Sequence, residues 1–337
     1  MNRKIKIFDY CWHIPHQWDM INALKNDCEF YFGLNVKRHW LISQRPLPQN
    51  LNFVTHYEKG KYDIAILHVD QTSVVSSSQK HMIFKHFNET ITDVPKIILN
   101  HGTPVCEQQI DDINLGLTEK ETDMECIRLM REMIGENVMV VNSHAAASEK
   151  EWGFGHPVIH GMDPNEWQDL TKEPRVFTAL SAYGLSRYYN RECIGETAEE
   201  LYEKYGHMLH YAKINVNVGK TPEEYKKYLG KSLIYLDTSF RTPMNRARTE
   251  AFLSGCCVVQ VEGAHDLELW AKGGENIIIV PNNPAEIARV VADLLDNGYD
   301  RAVKIGQEGK KMAMREFSRE RYRLDWLKLL NRVLNNA

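Results

Sequence analysis

The stretch from Arg241 to Gly255 carries more reactive and ligand-binding side chains than its neighbours: Arg241, Thr242, Met244, Asn245, Arg246, Arg248 and Glu250 within fifteen residues. Tyr235 to Ser239 reads as the end of a strand. A loop follows, then a helix opened by Pro243, carrying Glu250 about two turns in and closing at Gly255 before the apolar Cys256 to Val261. Backbone N–H groups at a helix start lack intrahelical partners and suit a diphosphate. A carboxylate at Glu250 can accept hydrogen bonds from ribose hydroxyls. The competing reading is a surface pair between Arg246 and Glu250, spaced i,i+4. Three other places offer chemistry at strand ends: His101-Gly102-Thr103-Pro104, the His13 to Trp18 segment with His16, and Val218-Gly219 ahead of the capped helix start Thr221-Pro222-Glu223-Glu224.

Other chemistries find no support. The sequence holds no GxxxxGK[ST], GxGxxG or G-x-S-x-G, and its 14 histidines form no HExxH or paired His-Cys spacing. Glu121-Thr-Asp123, the one acidic pair with the spacing of a metal-diphosphate site near apolar sequence, lies in a charged, helical stretch, so no metal site is expected. Seven cysteines include no CxxC pair, which points to reduced, mostly buried thiols.

These groups must be positioned by alternating strands and helices. Ile5 to Phe8, Glu29 to Phe32, Tyr62 to Leu67, Lys96 to Leu99 and Asn137 to Val141 read as strands, with a helix over Gln17 to Asn26 and another over Leu117 to Met133. A break falls at Gly161 to Glu173. The alternation resumes with strands at Arg175 to Leu180, Leu209 to Val216, Leu233 to Leu236, Cys256 to Val261 and Ile277 to Val280, and ends in one long helix over Arg301 to Leu334. Strands alternating with helices imply parallel sheets, and 337 residues imply about two domains. The fold class is α/β, two Rossmann-like doubly wound domains facing a shared cleft at the carboxyl ends of their strands.

The net charge of −4 sums two opposites. Residues 1–170 hold 16 Lys+Arg against 23 Asp+Glu and eleven of the 14 histidines, whereas residues 171–337 hold 25 against 22. The basic half suits an anionic ligand. The acidic half argues against a duplex-DNA surface. No apolar run approaches the ~20 residues of a membrane span, and the basic Met1 to Lys6 is not followed by a signal-peptide core. A cytoplasmic protein is expected, peripheral attachment to a membrane being compatible with it.

The sequence resembles the GT-B glycosyltransferases, especially the family-4-like retaining enzymes. Their signature, approximately E-x7-E-A-x-x-x-G-x-P-V-V, is matched from Glu250 through Gly255 to Val259. His101-Gly102-Thr103-Pro104 resembles the family's HG-x-P turn. Val140-Val141-Asn142-Ser143, Trp152-Gly153-Phe154 and Val158 to Asp163 resemble the run leading to the linker. Gly273-Gly274-Glu275-Asn276 with Ile279 to Glu286 resembles GGENGLLVPPGDPEAL, and Phe317 to Trp326 resembles the closing helix. Two features depart from the pattern. Thr242 stands where the first glutamate would be, and the GR-x4-K diphosphate clamp is replaced by Ser181 to Arg191, in which Arg187 and Arg191, one helical turn apart, are the candidates for that role.

The resemblance implies an acceptor-side domain over 1–165, a nucleotide-sugar-binding domain over 166–318, and a terminal helix over 319–337 packing back on the first. It implies a transferase moving a sugar, as from a UDP-sugar, to an acceptor hydroxyl with retention and without a metal or other cofactor. Catalytic roles would fall to His101, Arg187 and Arg191. Donor contacts would come from Gly102, Gly184, Val218, Gly219, Arg241, Thr242, Met244, Asn245, Arg246 and Glu250, and acceptor contacts from His16 and Trp18. The acceptor class stays open among glycans, lipid-linked glycans, proteins and small molecules, with modified DNA disfavoured by charge. A nucleotide-sugar epimerase and a catalytically decayed binding protein are the alternatives.

Overall fold

The computed structural model describes residues 3–34, 39–105, 118–179, 190–211, 221–241 and 245–336. It divides into two compact units, Met1–Gly161 with Arg319–Ala337, and Met162–Ser318. The final segment therefore belongs to the first unit.

The first unit is built on strands β1 (Ile5–Asp9), β2 (Cys28–Gly33), β3 (Leu51–Val54), β4 (Ile64–Val69), β5 (Lys96–Asn100), β6 (Val138–Val141) and β7 (His156–Pro157). All pair in parallel, in the order β3-β2-β1-β4-β5-β6-β7. Alternate residues of each strand enter different cores. Phe8, Leu67, Ile98 and Met139 pack on one side with Phe84, Phe87 and Met130. Ile7, Ile66, Ile97 and Val140 pack on the other with Met20, Ile21, Trp326 and Leu330. Burial on both faces explains why these strands read as near-continuous apolar runs. β3 and β7 were not expected: β3 is only partly buried and β7 is two residues long, so neither leaves an apolar run.

The second unit carries β8 (Glu173–Thr178), β9 (Leu209–Tyr211), β10 (Ser232–Asp237), β11 (Cys257–Val261) and β12 (Ile278–Val280). They form a parallel sheet in the order β12-β11-β10-β8-β9. Every residue of β10 and β11 is buried. The helix Tyr299–Glu316 lies against this unit at glycines: a Cβ on Gly306 would stand 2.3 Å from the Gly255 carbonyl, so only hydrogen fits there.

The single terminal helix of the sequence reading is two helices, Tyr299–Glu316 and Arg319–Asn335. They separate at Phe317 and Ser318, where the Phe317 carbonyl accepts from Met162 N at 2.9 Å and Ser318 bridges Met162. The second helix is locked to the first unit by Arg323, which clasps both oxygens of Asp27 at 2.7 Å, and by Arg321, which donates to the carbonyls of Ile159 and His160. Among the described residues no helix is long and apolar enough to cross a membrane, and the six described cysteines are buried and unbridged.

Candidate active site

In the first sheet the strand order reverses between β1 and β4, so the carboxyl ends of these strands border the crevice where doubly wound folds bind ligands. Asp9 ends β1, His68 is the penultimate residue of β4, and His101 follows β5, its N–H donating to the Val69 carbonyl at 2.9 Å. Three neighbouring strands thus deliver one polar chain. His68 Nε2 lies 2.7 Å from Asp9 Oδ1, and His68 Nδ1 lies 2.9 Å from His101 Nε2. Asp9 and His68 are fully buried.

Gln17 holds this chain from below. Its Oε1 accepts from the N–H groups of Trp12 (2.8 Å) and His13 (3.1 Å), which fixes the amide orientation. Nε2 is then directed to the Tyr10 carbonyl (2.8 Å) and both Asp9 oxygens (3.2 Å). The Tyr10 N–H adds a bond to Asp9 Oδ1, and the Tyr10 hydroxyl bonds to the backbone of His68. Burial pushes the Asp9 carboxyl up from its ordinary value, against the pull of His68.

His101 is partly buried, and its Nδ1 has no hydrogen-bond partner among the described residues. Burial holds its imidazole well below the ordinary value of 6.5, helped by His68, His16, His13 and Lys80. The ring therefore stays neutral. Trp12 and His13 lie nearly parallel to it, with centroids 6.0 and 6.1 Å away, and His16 is at 5.6 Å. Lys80 sits over Trp12 and pairs with Asp70. Gly102 packs closely on Gln71: a Cβ there would stand 2.0 Å from Gln71 Oε1. Its N–H donates to Asn100 Oδ1, and its carbonyl accepts from Trp152 Nε1.

The His13 to Trp18 segment, expected at a strand end, is the opening of the helix Ile14–Ala23, because Pro15 is pre-set for a first helical turn and His13 caps it. His16 faces the rings of His13, His101 and His160. Trp18 is flanked instead by Arg45 and Arg319, 5.7 and 6.0 Å from its ring centre.

In the second unit the order reverses between β8 and β10. β10 ends at Asp237, which accepts from Ser239 and from Asn245 Nδ2 (2.8 Å). Asn245 caps the following helix, its Oδ1 accepting from Ala247 N. The helix is therefore Arg246–Leu253, and Glu250 lies just over one turn in, closer to its start than the sequence reading had it. Glu250 is buried, ion-paired with Arg246, and accepts from the Tyr225 hydroxyl at 2.8 Å. Burial and the Glu250 charge push that hydroxyl well above its ordinary value, so it remains a donor. Arg241 adopts a left-handed backbone, φ 48°, with its N–H on the Gly263 carbonyl.

The structure thus gathers His16 and His101, with Gly102 in the same turn, in the first unit, and Asn245, Arg246 and Glu250 in the second. Gly184, Arg187, Val218, Gly219, Thr242 and Met244 lie outside the described residues. Arg191 begins the helix Arg191–Tyr205. The sequence reading missed His68, Gln17 and Tyr225. A polar residue inside the apolar run Ile64 to Val69 was the available signal for His68, but the expected strand stopped one residue short of it.

No protein-family model matches the chain, and no curated protein matches it either. Several solved structures match over nearly their full length. HepE from Anabaena in complex with UDP-glucose has a TM-score of 0.66 at 13% identity, covering 97% of this chain and 100% of that one. Sucrose-phosphate synthase from Thermosynechococcus elongatus gives 0.67 at 10%, over 99% and 100%. A trehalose-6-phosphate synthase studied for glycosyl transfer with retention gives 0.58 at 11%, over 98% and 99%. The fold is that of the GT-B glycosyltransferases. In that fold His101 and Glu250 follow central strands of the two sheets.

Proposed function

We propose that this protein transfers a sugar from a nucleoside diphospho-sugar, as from a UDP-sugar, to an acceptor hydroxyl with retention of configuration. The observation that carries this reading is the full-length likeness to HepE in complex with UDP-glucose. In the reaction the bond from the anomeric carbon to the diphosphate oxygen breaks, and the acceptor oxygen bonds to that carbon from the same face. The acceptor proton leaves with the diphosphate. Glu250 holds the ribose, keeping Tyr225 as a donor beside it. Arg187 and Arg191 neutralise the departing diphosphate, so that no metal is required. His101 contacts the transferred sugar, and His16 and Trp18 face the acceptor.

Calorimetry with UDP, ADP and GDP, followed by product analysis with the matching nucleotide-sugar and acceptor pools, tests the reading. Binding of one nucleoside diphosphate and formation of a glycoside with the donor's anomeric configuration are expected. Formation of an epimer without acceptor, or nucleotide binding with no turnover on any pool, overturns it.

A further inference from the structure

We propose that Asp9 and His68 are positioning residues that fix the tautomer of His101, leaving its Nδ1 lone pair as the acceptor for a substrate hydroxyl. This rests on the reading of His101 as a sugar contact and specifies what that contact is.

Asp9 Oδ1 and His68 Nε2 are 2.7 Å apart, so a proton must lie between them. Asp9 also receives the N–H of Tyr10 and the amide of Gln17, whose orientation is fixed by the backbone donors on its oxygen. These two donors, independent of His68, favour the ionised carboxylate and oppose the burial that pushes it up. The shared proton then belongs to His68 Nε2, and a neutral His68 presents a lone pair at Nδ1. That lone pair accepts from His101 Nε2–H across 2.9 Å. A neutral His101 with its proton on Nε2 carries a lone pair on Nδ1, a buried ring atom with no partner among the described residues, whose unmet acceptor a substrate hydroxyl would satisfy. A carboxylate that dictates a tautomer through hydrogen bonds is a known catalytic device; here the instruction passes through two imidazoles.

One additional proton on the Asp9–His68 pair, on either residue, reverses the second bond. His68 Nδ1 then donates, and His101 turns a donor, Nδ1–H, toward the substrate. The other titratable groups facing the rings are His13 and His16 on the helix Ile14–Ala23, and Lys80, paired with Asp70, on the helix Gln79–Thr90. His13, His16 and Lys80 lower the proton affinity of His101 itself.

Nitrogen NMR of the full chain with 15N-labelled histidine reads the tautomer without turnover, the His101 signals being assigned by their loss in His101→Gln. At pH 8 the wild type should show Nε2 protonated and Nδ1 unprotonated, reversing on uptake of one proton by the pair. Asp9→Leu leaves Gln17 Nε2, a donor 3.1 Å away, as the nearest polar group to His68 Nε2. The tautomer of His101 should therefore reverse at pH 8, with kcat falling about a hundredfold and the donor KM within about twofold. Asp9→Asn keeps an oxygen facing His68 and should retain both the tautomer and most of kcat. A merely structural role would lower thermal stability in both variants and leave the nitrogen signals in place. A protonated Nδ1 in the wild type at pH 8, or Asp9→Leu folded with its tautomer unchanged, overturns the proposal. Should Asp9→Leu not fold, the wild-type titration and Asp9→Asn decide alone. Absence of transfer activity would refute the proposed function and leave the nitrogen reading intact.

Discussion

In the first unit the Asp9 carboxylate stands behind two imidazoles and Gln17, fully buried, and reaches the buried ring nitrogen of His101, unpartnered among the described residues, only through hydrogen bonds. In the second unit Glu250 projects from a helix beside its own counter-charge, Arg246, and a tyrosine hydroxyl. Asp9 ends β1 and Glu250 lies on the helix after β10, and each of these strands borders a point where strand order reverses. The difference is what faces the two carboxylates. Glu250 meets a cation and a hydroxyl directly, whereas the rings in front of Asp9 pass on an orientation instead. The first arrangement suits binding, the second suits polarity at a reacting centre.

The sharpest way to break this contrast is to cross the two variants and ask which kinetic parameter moves. His101→Ala should lower kcat by about 10²–10³-fold with UDP affinity within about twofold. Glu250→Gln should weaken UDP binding by roughly ten- to a hundredfold, the value of about 1.5–3 kcal/mol for hydrogen bonds to a charged group, with a smaller change in kcat. Calorimetry and initial rates check both, and the contrast collapses if the two variants change the same parameter. Gly102→Ala drives a Cβ onto Gln71. A stability loss of about 1–3 kcal/mol by denaturant unfolding is expected, and His101 should move with the turn. Tyr225→Phe removes one bond to Glu250 and should cost about 1 kcal/mol, with UDP affinity down only a few-fold.

The smallest effect is one of pH. Because the folded state holds His101 well below 6.5, the unfolded chain takes up its proton first as pH falls. The resulting stability is present above about 6.5 and declines as pH drops toward the folded value. His101→Gln should flatten that decline in thermal melts between pH 7 and 5, relative to wild type. A parallel shift at all pH values would show that the imidazole is not held neutral.

The sheets were legible in the sequence because buried parallel strands leave apolar runs that polar loops interrupt, as in Ile64 to Val69 and Cys257 to Val261. Glu250 and His101 were legible because each follows such a run and stands in a motif with a resemblance. His68 and its pairing with Asp9 were not, since a buried polar pair is recognisable only once its partners are placed, and these are 59 residues apart. The start of the helix bearing Glu250 was misplaced for a related reason. Pro243 is a strong local signal, whereas the cap formed by Asn245 depends on Asp237 receiving the other end of its amide.

The helix Arg319–Asn335 seals the Met20, Ile21 and Phe30 side of the first unit with Trp326 and Leu330, although the whole of the second unit precedes it in the chain. During synthesis the second unit has all its residues available before the first does. The first 161 residues leave the ribosome with that apolar face uncovered, so a pause or cleavage before residue 319 would release a chain whose second unit is complete and whose first unit is a sticky intermediate.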